Sequence, residues 1–164
     1  MRFPAFTNAL RGFDIALGYL ASPLLLATRL YVSWQFLKSG WLKFSSWQTT
    51  LLLFNYEYHV PLLPPHLAAV VGTFGELFFP ALLVLGLFGR PAAVGLFVVN
   101  VVAVVSYAQV LLAKGYEAAL GQHILWGFML LVLIVFGSGL FSVDGLLARS
   151  GRRMARNGML PKKA

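Results

Sequence analysis

Four stretches of the chain, 23–43, 65–88, 91–112 and 120–141, are apolar almost throughout and show no alternation of period two. A helix needs roughly 20 residues to cross about 30 Å of hydrocarbon. Only helices and closed barrels satisfy their backbone polar groups in lipid, so uninterrupted runs of this length predict four transmembrane helices. Ser22-Pro23, Pro64-Pro65, Gly89-Arg90-Pro91 and Gly137-Ser138-Gly139 punctuate the runs. Ahead of them, Phe3, Phe6, Leu10, Phe13, Leu17 and Leu20 recur at spacings of three and four, with Arg11 and Asp14 elsewhere on the wheel. That pattern predicts an amphipathic helix lying in the cytoplasmic interface. It lacks the compact apolar core and small-residue cleavage site of a signal peptide. The expected architecture is an all-α integral membrane protein: an interfacial helix over 1–20, a four-transmembrane-helix bundle over 21–147, and a basic cytoplasmic tail over 148–164.

Between the first two runs lies "FSSWQTTLLLFNYEYHVPLLP", residues 44–64. Its Leu51-Leu52-Leu53-Phe54 run predicts a short helix on or in the outer leaflet. Trp41, Trp47, Tyr56 and Tyr58 suit the headgroup level, where an apolar ring with a polar tip is favoured.

Composition narrows the class. Of 164 residues, 59% are hydrophobic and 11% charged, against about 25% charged in a soluble domain. The absence of cysteine removes disulfide, CxxC and thiolate-metal chemistry from the chain itself. The net charge of +8 is a topology signal and not a nucleic-acid footprint. Arg2 and Arg11 precede the first run, and Arg90 lies between the second and third. Arg149, Arg152, Arg153, Arg156, Lys162 and Lys163 follow the fourth, while Lys43 and Lys114 stand alone on the opposite side. This asymmetry predicts cytoplasmic termini, and the basic tail is expected to meet anionic lipid.

One residue breaks the apolar pattern. Glu76 is the twelfth residue of a helix starting near 65, about 16 Å below the outer surface at ~1.5 Å per residue. A central acidic residue costs roughly 2.5–3.5 kcal/mol on insertion scales, so it should face the bundle interior, paired or protonated. Gly72 and Gly75 would let a neighbouring helix approach, and Pro80 removes the helical donor from the Glu76 carbonyl. Candidate partners crowd the outward half. Lys38 is flanked by Gln35 and Ser39, Tyr107 and Gln109 lie on the third helix, and His123 has Gln122 beside it and Trp126 a turn onward. Glu57 and His59 lie in the outer loop. Arg29 and Asp144, toward the cytoplasmic end, are expected to form or flank a structural ion pair. Asn100 reads as interhelical glue worth about 1 kcal/mol.

Several segments carry a family resemblance: "TRLYVSWQFLKSGWLKF" (28–44), "GTFGELFFPALLVLGLFGRPAA" (72–93), "QHILWGFMLLVLIVFGSG" (122–139) and "FSVDGLL" (141–147). Together they resemble the DoxX family of small four-span bacterial membrane proteins. The likeness rests on the arginine opening the first helix, the Gly-x-x-Lys ending at Lys43, the intramembrane Gly-Glu, and a late Gly-x-Gly followed by Ser-x-Asp. Gly137-Ser138-Gly139 departs from the commoner Gly-Pro-Gly. The resemblance implies a bacterial inner-membrane protein. DoxD-type relatives are subunits of thiosulfate:quinone oxidoreductases, and others accompany oxidative-stress or metal-stress systems.

Three functions stay open at this point. The first is a quinone-linked redox component with an outer-half site. There Lys38 would supply positive charge, His123 a hydrogen bond and Glu76 a proton route, with Gln35, Tyr107, Gln109, Gln122 and Trp126 contacting substrate. The second is a noncatalytic anchor or assembly partner for an oxidoreductase or metal-stress system. The third is small-solute or metal transport through Glu57, His59, His66 and His123, although no metal motif is present. No intrinsic cofactor is expected, since haem b would need two facing axial histidines and His123 alone lies within a span. Lipid, a quinone and a redox partner protein are the expected partners.

Overall fold

The computed structural model describes the backbone of residues 4–156 and the side chains of residues 17–150. Seven helices follow in order: α1 (Pro4–Ser45), α2 (Trp47–Tyr56), α3 (Pro65–Leu85), α4 (Gly89–Ser106), α5 (Ala108–Leu111), α6 (Glu117–Phe136) and α7 (Val143–Arg156). Among the described residues there is no strand. Three helices, α3, α4 and α6, are long and apolar enough to cross a membrane. The second half of α1 packs beside them, mainly against α3 and also against α6, giving four antiparallel helices around one core. That core joins Val32 and Phe36 of α1, Leu83 of α3, Ala92, Ala93 and Leu96 of α4, and Leu130 and Leu133 of α6.

The outside is as apolar as the inside. Trp34, Phe74, Leu125 and Phe128 are 59%, 58%, 47% and 65% exposed. An apolar surface this continuous is untenable in water and is what a lipid solvent requires. The chain is therefore a multi-pass membrane protein.

The helix boundaries depart from the sequence expectation in three places. First, α1 runs unbroken through Ser22-Pro23, so no turn separates residues 4–20 from the first span. A proline within a helix removes one backbone hydrogen bond without necessarily ending the helix in a bundle. Beside it, Ser22 Oγ accepts from the Leu140 N–H at 3.4 Å and ties α1 to the segment after α6. The amphipathic pattern over 1–20 falls mostly on side chains outside the described residues. At 42 residues, α1 is about 63 Å long, twice the hydrocarbon thickness, so only part of it can lie in lipid. Second, the run 91–112 is divided. α4 ends at Ser106 and Tyr107 leaves helical geometry (φ −117°, ψ 21°), because the loop after α2 binds there. The His59 N–H donates to the Ser106 carbonyl at 2.8 Å, and Gln109 Nε2 donates to the Glu57 carbonyl at 2.6 Å. Third, α6 stops at Phe136, since Gly137 adopts φ 79°, ψ −166°, a region open almost only to glycine.

The end of the bundle carrying α7 is held by Arg29 and Asp144, but not as an ion pair. Arg29 is 2% exposed and donates Nη1–H to the Ser138 carbonyl and Nη2–H to the Phe141 carbonyl, both at 2.8 Å. Asp144 accepts from the Phe88 N–H at 3.1 Å and the Gly89 N–H at 2.8 Å, while its own N–H donates to the Gly86 carbonyl. The expected direct pairing gives way because each group finds a better-matched backbone partner. A guanidinium fork fits two turn carbonyls, and a carboxylate fits the orphan N–H groups and positive dipole at the α4 N-terminus. Ser142, two residues before Asp144, accepts from the Gly145 N–H at 3.0 Å and so caps the first turn of α7. The Ser-x-Asp motif therefore caps two helices at once.

Replacing Arg29 by Ala leaves two buried carbonyls unpaired, at about 1–3 kcal/mol each. Thermal unfolding in detergent should show a large loss of stability, with Arg29→Lys intermediate. Asp144→Ala should cost about 1 kcal/mol, as for other lost caps, and Asp144→Asn less. Unchanged melting of both alanine variants would show that these contacts do not hold the turn.

Candidate functional site

The opposite end of the bundle contains a cavity of about 280 Å³ between α1, α3, α4 and α6, covered by α2 and residues 57–63. Its existence follows from a step in the bundle. Gly40 of α1 lies against Glu76 and Leu77 of α3, and a Cβ there would meet those side chains at 2.9–3.0 Å. From that level α3 continues about 16 Å to Pro65, whereas α1 continues only about 8 Å to Ser45. The chain fills the step with α2, laid across the end. Thr50 Oγ1 donates to the Lys43 carbonyl at 2.9 Å, and Phe54 packs on Ala68 and Ala69.

At the deep end of the cavity, Lys43 Nζ reaches Glu76 Oε1 at 2.8 Å, Glu76 Oε2 at 2.7 Å and Ser39 Oγ at 2.8 Å. The two charged side chains are 14% and 9% exposed. Ser39 and Lys43, four residues apart, share one face of α1, and Gly40 between them lets that face close on α3. At the same level on the other wall, Asn100 of α4 and His123 of α6 bind reciprocally. His123 Nδ1 and Asn100 Oδ1 are 2.8 Å apart, and Asn100 Nδ2 donates to the His123 carbonyl at 3.0 Å. Asn100 thus joins α4 to α6, as a mid-membrane asparagine was expected to do.

Val71, Val98, Val99 and Val102 give the cavity apolar walls. Toward the α2 end, Phe54, Tyr58 and Tyr107 stack edge to face with centroids 4.9 and 5.0 Å apart. Burial, with Tyr107, Glu76 and Glu57 nearby, raises the Tyr58 phenol above its ordinary pKa, so it stays a neutral donor. The Ser106 hydroxyl lines the same space and, though buried, has no hydrogen-bond partner.

Of the residues singled out from sequence, Glu76, His123 and Tyr107 line this one cavity. Trp126 stands behind, edge-on to His123 at 4.9 Å and to Phe36 at 5.5 Å. Lys38 does not join them. It is exposed on the outer face of α1, and Lys43 occupies the place expected for it. The error came from taking the helix ends as level: with α1 ending short of α3, the lysine near its C-terminus meets Glu76 deep in the bundle. The Ser39-Gly40-x-x-Lys43 spacing was the signal that could have shown this. Gln35 is half-buried on α1 away from the cavity, and Gln122 is exposed. Gln109 is exposed and fastens the loop, its Nε2 also 3.3 Å from His59 Nδ1. Glu57, His59, His66 and His123 form no metal site: among the described residues no three His, Cys, Asp or Glu side chains come together as ligands.

A buried ion pair is costly to break and cheap to replace whole. Glu76→Leu alone strands an ammonium and should cost roughly 3–5 kcal/mol, read as a lower melting temperature in detergent. Lys43→Met combined with Glu76→Leu should recover most of that loss. A double variant as unstable as the single one would show that the pair itself does not govern stability.

The family model described as DoxX matches residues 24–109, a span that holds Arg29, Lys43, Glu76, Asn100 and Tyr107 but stops before His123 and Asp144. No curated protein and no solved structure matches the chain. With more than half of the sequence matched, and with that stretch supplying three of the four packed helices and most of the residues lining the cavity, the chain belongs to the DoxX family.

Proposed function

We propose that the protein is the membrane component of a quinone-linked redox system, holding a ring-shaped ligand in the cavity between Lys43, Glu76 and His123. The observation that carries this reading is the pairing of a buried acid–amine couple and an imidazole with apolar walls in one ring-sized space. A volume of about 280 Å³ lies just below the range of roughly 300–1,000 Å³ typical of small-molecule sites. Valine walls suit a ring and its alkyl substituents, and polar groups confined to the ends suit a molecule with oxygens at opposite positions. Interconversion of quinone and quinol moves two electrons and two protons. Glu76 and His123 provide positions for the protons. The electrons come from a partner oxidoreductase or a reduced sulfur compound, since this chain has no cysteine to pass them through a thiol.

The distribution of Lys and Arg supports cytoplasmic termini with the first helix as a fourth span, which puts the cavity in the external half, and the family supports a bacterial inner-membrane location. A second reading, a noncatalytic anchor or assembly partner, is favoured by α7. There Leu146 and Leu147 are exposed, and the sequence that follows is rich in arginine, a composition suited to a cytoplasmic partner or an anionic leaflet.

Titration of the detergent-purified protein with a short-chain quinone analogue tests the first reading. Binding should weaken at least tenfold in a Lys43→Met, Glu76→Gln, His123→Ala variant and stay unchanged in Lys38→Ala. Equal affinity for all three proteins would reject the cavity and leave the second reading. Orientation is tested in the cysteine-free background. Lys114→Cys should react with an impermeant maleimide in intact cells, and Ser150→Cys only after lysis. The reverse pattern would invert the topology.

A further inference from the structure

Hydrogen-bond directions at the deep end of the cavity are set by groups that have only one option. The His123 carbonyl oxygen can only accept, so Asn100 must present Nδ2 to it. Asn100 Oδ1 then faces His123 Nδ1 at 2.8 Å, and an amide oxygen also only accepts. The ring proton therefore sits on Nδ1, and in the neutral imidazole Nε2 is a bare lone pair. Nε2 has no partner among the described residues and is not one of the fully buried orphan atoms, and His123 is one of the residues lining the cavity.

The ammonium beside it is already spent. Lys43 has three donors, and they reach Glu76 Oε1, Glu76 Oε2 and Ser39 Oγ. None is left for a ligand, while each Glu76 oxygen retains a lone pair. Despite its lysine, this end of the cavity offers acceptors. The rings of Tyr58 and Tyr107 pack edge to face toward the α2 end of the cavity.

Resting on the quinone-linked reading, we propose that the deep end of the cavity selects the hydroxyl-bearing form of its ring ligand. A hydroquinone, or a phenol of similar shape, donates its O–H to His123 Nε2 with Glu76 as a second acceptor. The quinone form brings a carbonyl oxygen to the same place, where acceptor meets acceptor and neither is paired. Sites built to bond a ligand hydroxyl reject analogues lacking it far more strongly than apolar pockets reject size changes. Asn100 is the positioning residue: by tying Nδ1 and the backbone carbonyl of one histidine, it turns the proton-free nitrogen toward the ligand.

The experiment is calorimetric titration of the full chain in detergent at pH 8, above the ordinary histidine range of about 6.5. The probes are 2,3-dimethoxy-5-methylhydroquinone kept reduced, the matching quinone, and the bis-methyl ether of the hydroquinone. The hydroquinone should bind at least tenfold more tightly than either of the others, and Asn100→Leu should reduce that preference below threefold. Nitrogen NMR of histidine-labelled protein, assigned with His59→Gln and His66→Gln, should find His123 protonated on Nδ1 and bare on Nε2. Quinone binding as tight as hydroquinone, or the opposite tautomer, overturns the inference while leaving the cavity a ring site. Binding of none of the three probes overturns it together with the reading on which it rests.

Discussion

A carboxylate and an ammonium buried among apolar helices can persist only by facing each other, and the architecture at one end of this protein follows from that requirement. Neither Lys43 nor Glu76 tolerates lipid alone, so α1 and α3 must meet where their side chains can reach. Gly40 supplies the clearance. With that register set, α1 ends well below the start of α3, and the unfilled step has to be covered. Helix α2 covers it, and the cavity is the space its side chains leave.

The other end solves the same problem with different partners. Arg29 is more deeply buried than either member of the ion pair, yet it binds carbonyls, while Asp144 binds the N–H groups that open α4. Helix ends and turns carry unpaired backbone groups that must be satisfied. Spending the charged side chains on them closes the bundle, with Arg29 Nε the one guanidinium nitrogen left unpaired. The two ends thus divide the labour. One uses its charges to fasten loops, and the other holds its charges in a pair beside open space.

That contrast bears on function. At the α7 end the charged side chains serve backbone groups, and the unpaired Arg29 Nε and Ser138 hydroxyl lie apart from the cavity described above. At the α2 end Glu76 keeps lone pairs, His123 keeps Nε2, and Ser106 keeps a buried hydroxyl without a partner. Groups left with bonding capacity beside valine walls favour a small amphipathic ligand over a purely structural role. The absence of cysteine then requires the electrons of any redox chemistry to come from a partner or a substrate.

The membrane class, the helical character and the presence of a paired acid in α3 were legible in the chain itself, because lipid imposes its demands residue by residue: long apolar runs must be helices, and an acidic residue within one must turn inward. Asn100 was legible as glue for the same reason. The ends of helices were less so. The break at Tyr107 depends on a loop more than forty residues earlier docking its His59 N–H there, and the Ser22-Pro23 signal did not reveal that α1 runs on through it. Depth estimates placed Lys38 near Glu76 because they took all helices to end at one level. Only the packing of α1 on α3 decided that Lys43 is the partner, that Arg29 and Asp144 serve different helix ends, and that His123 shares a cavity with Glu76. Such contacts join positions tens of residues apart, and local pattern carries the preference of each group but not the identity of the group it meets.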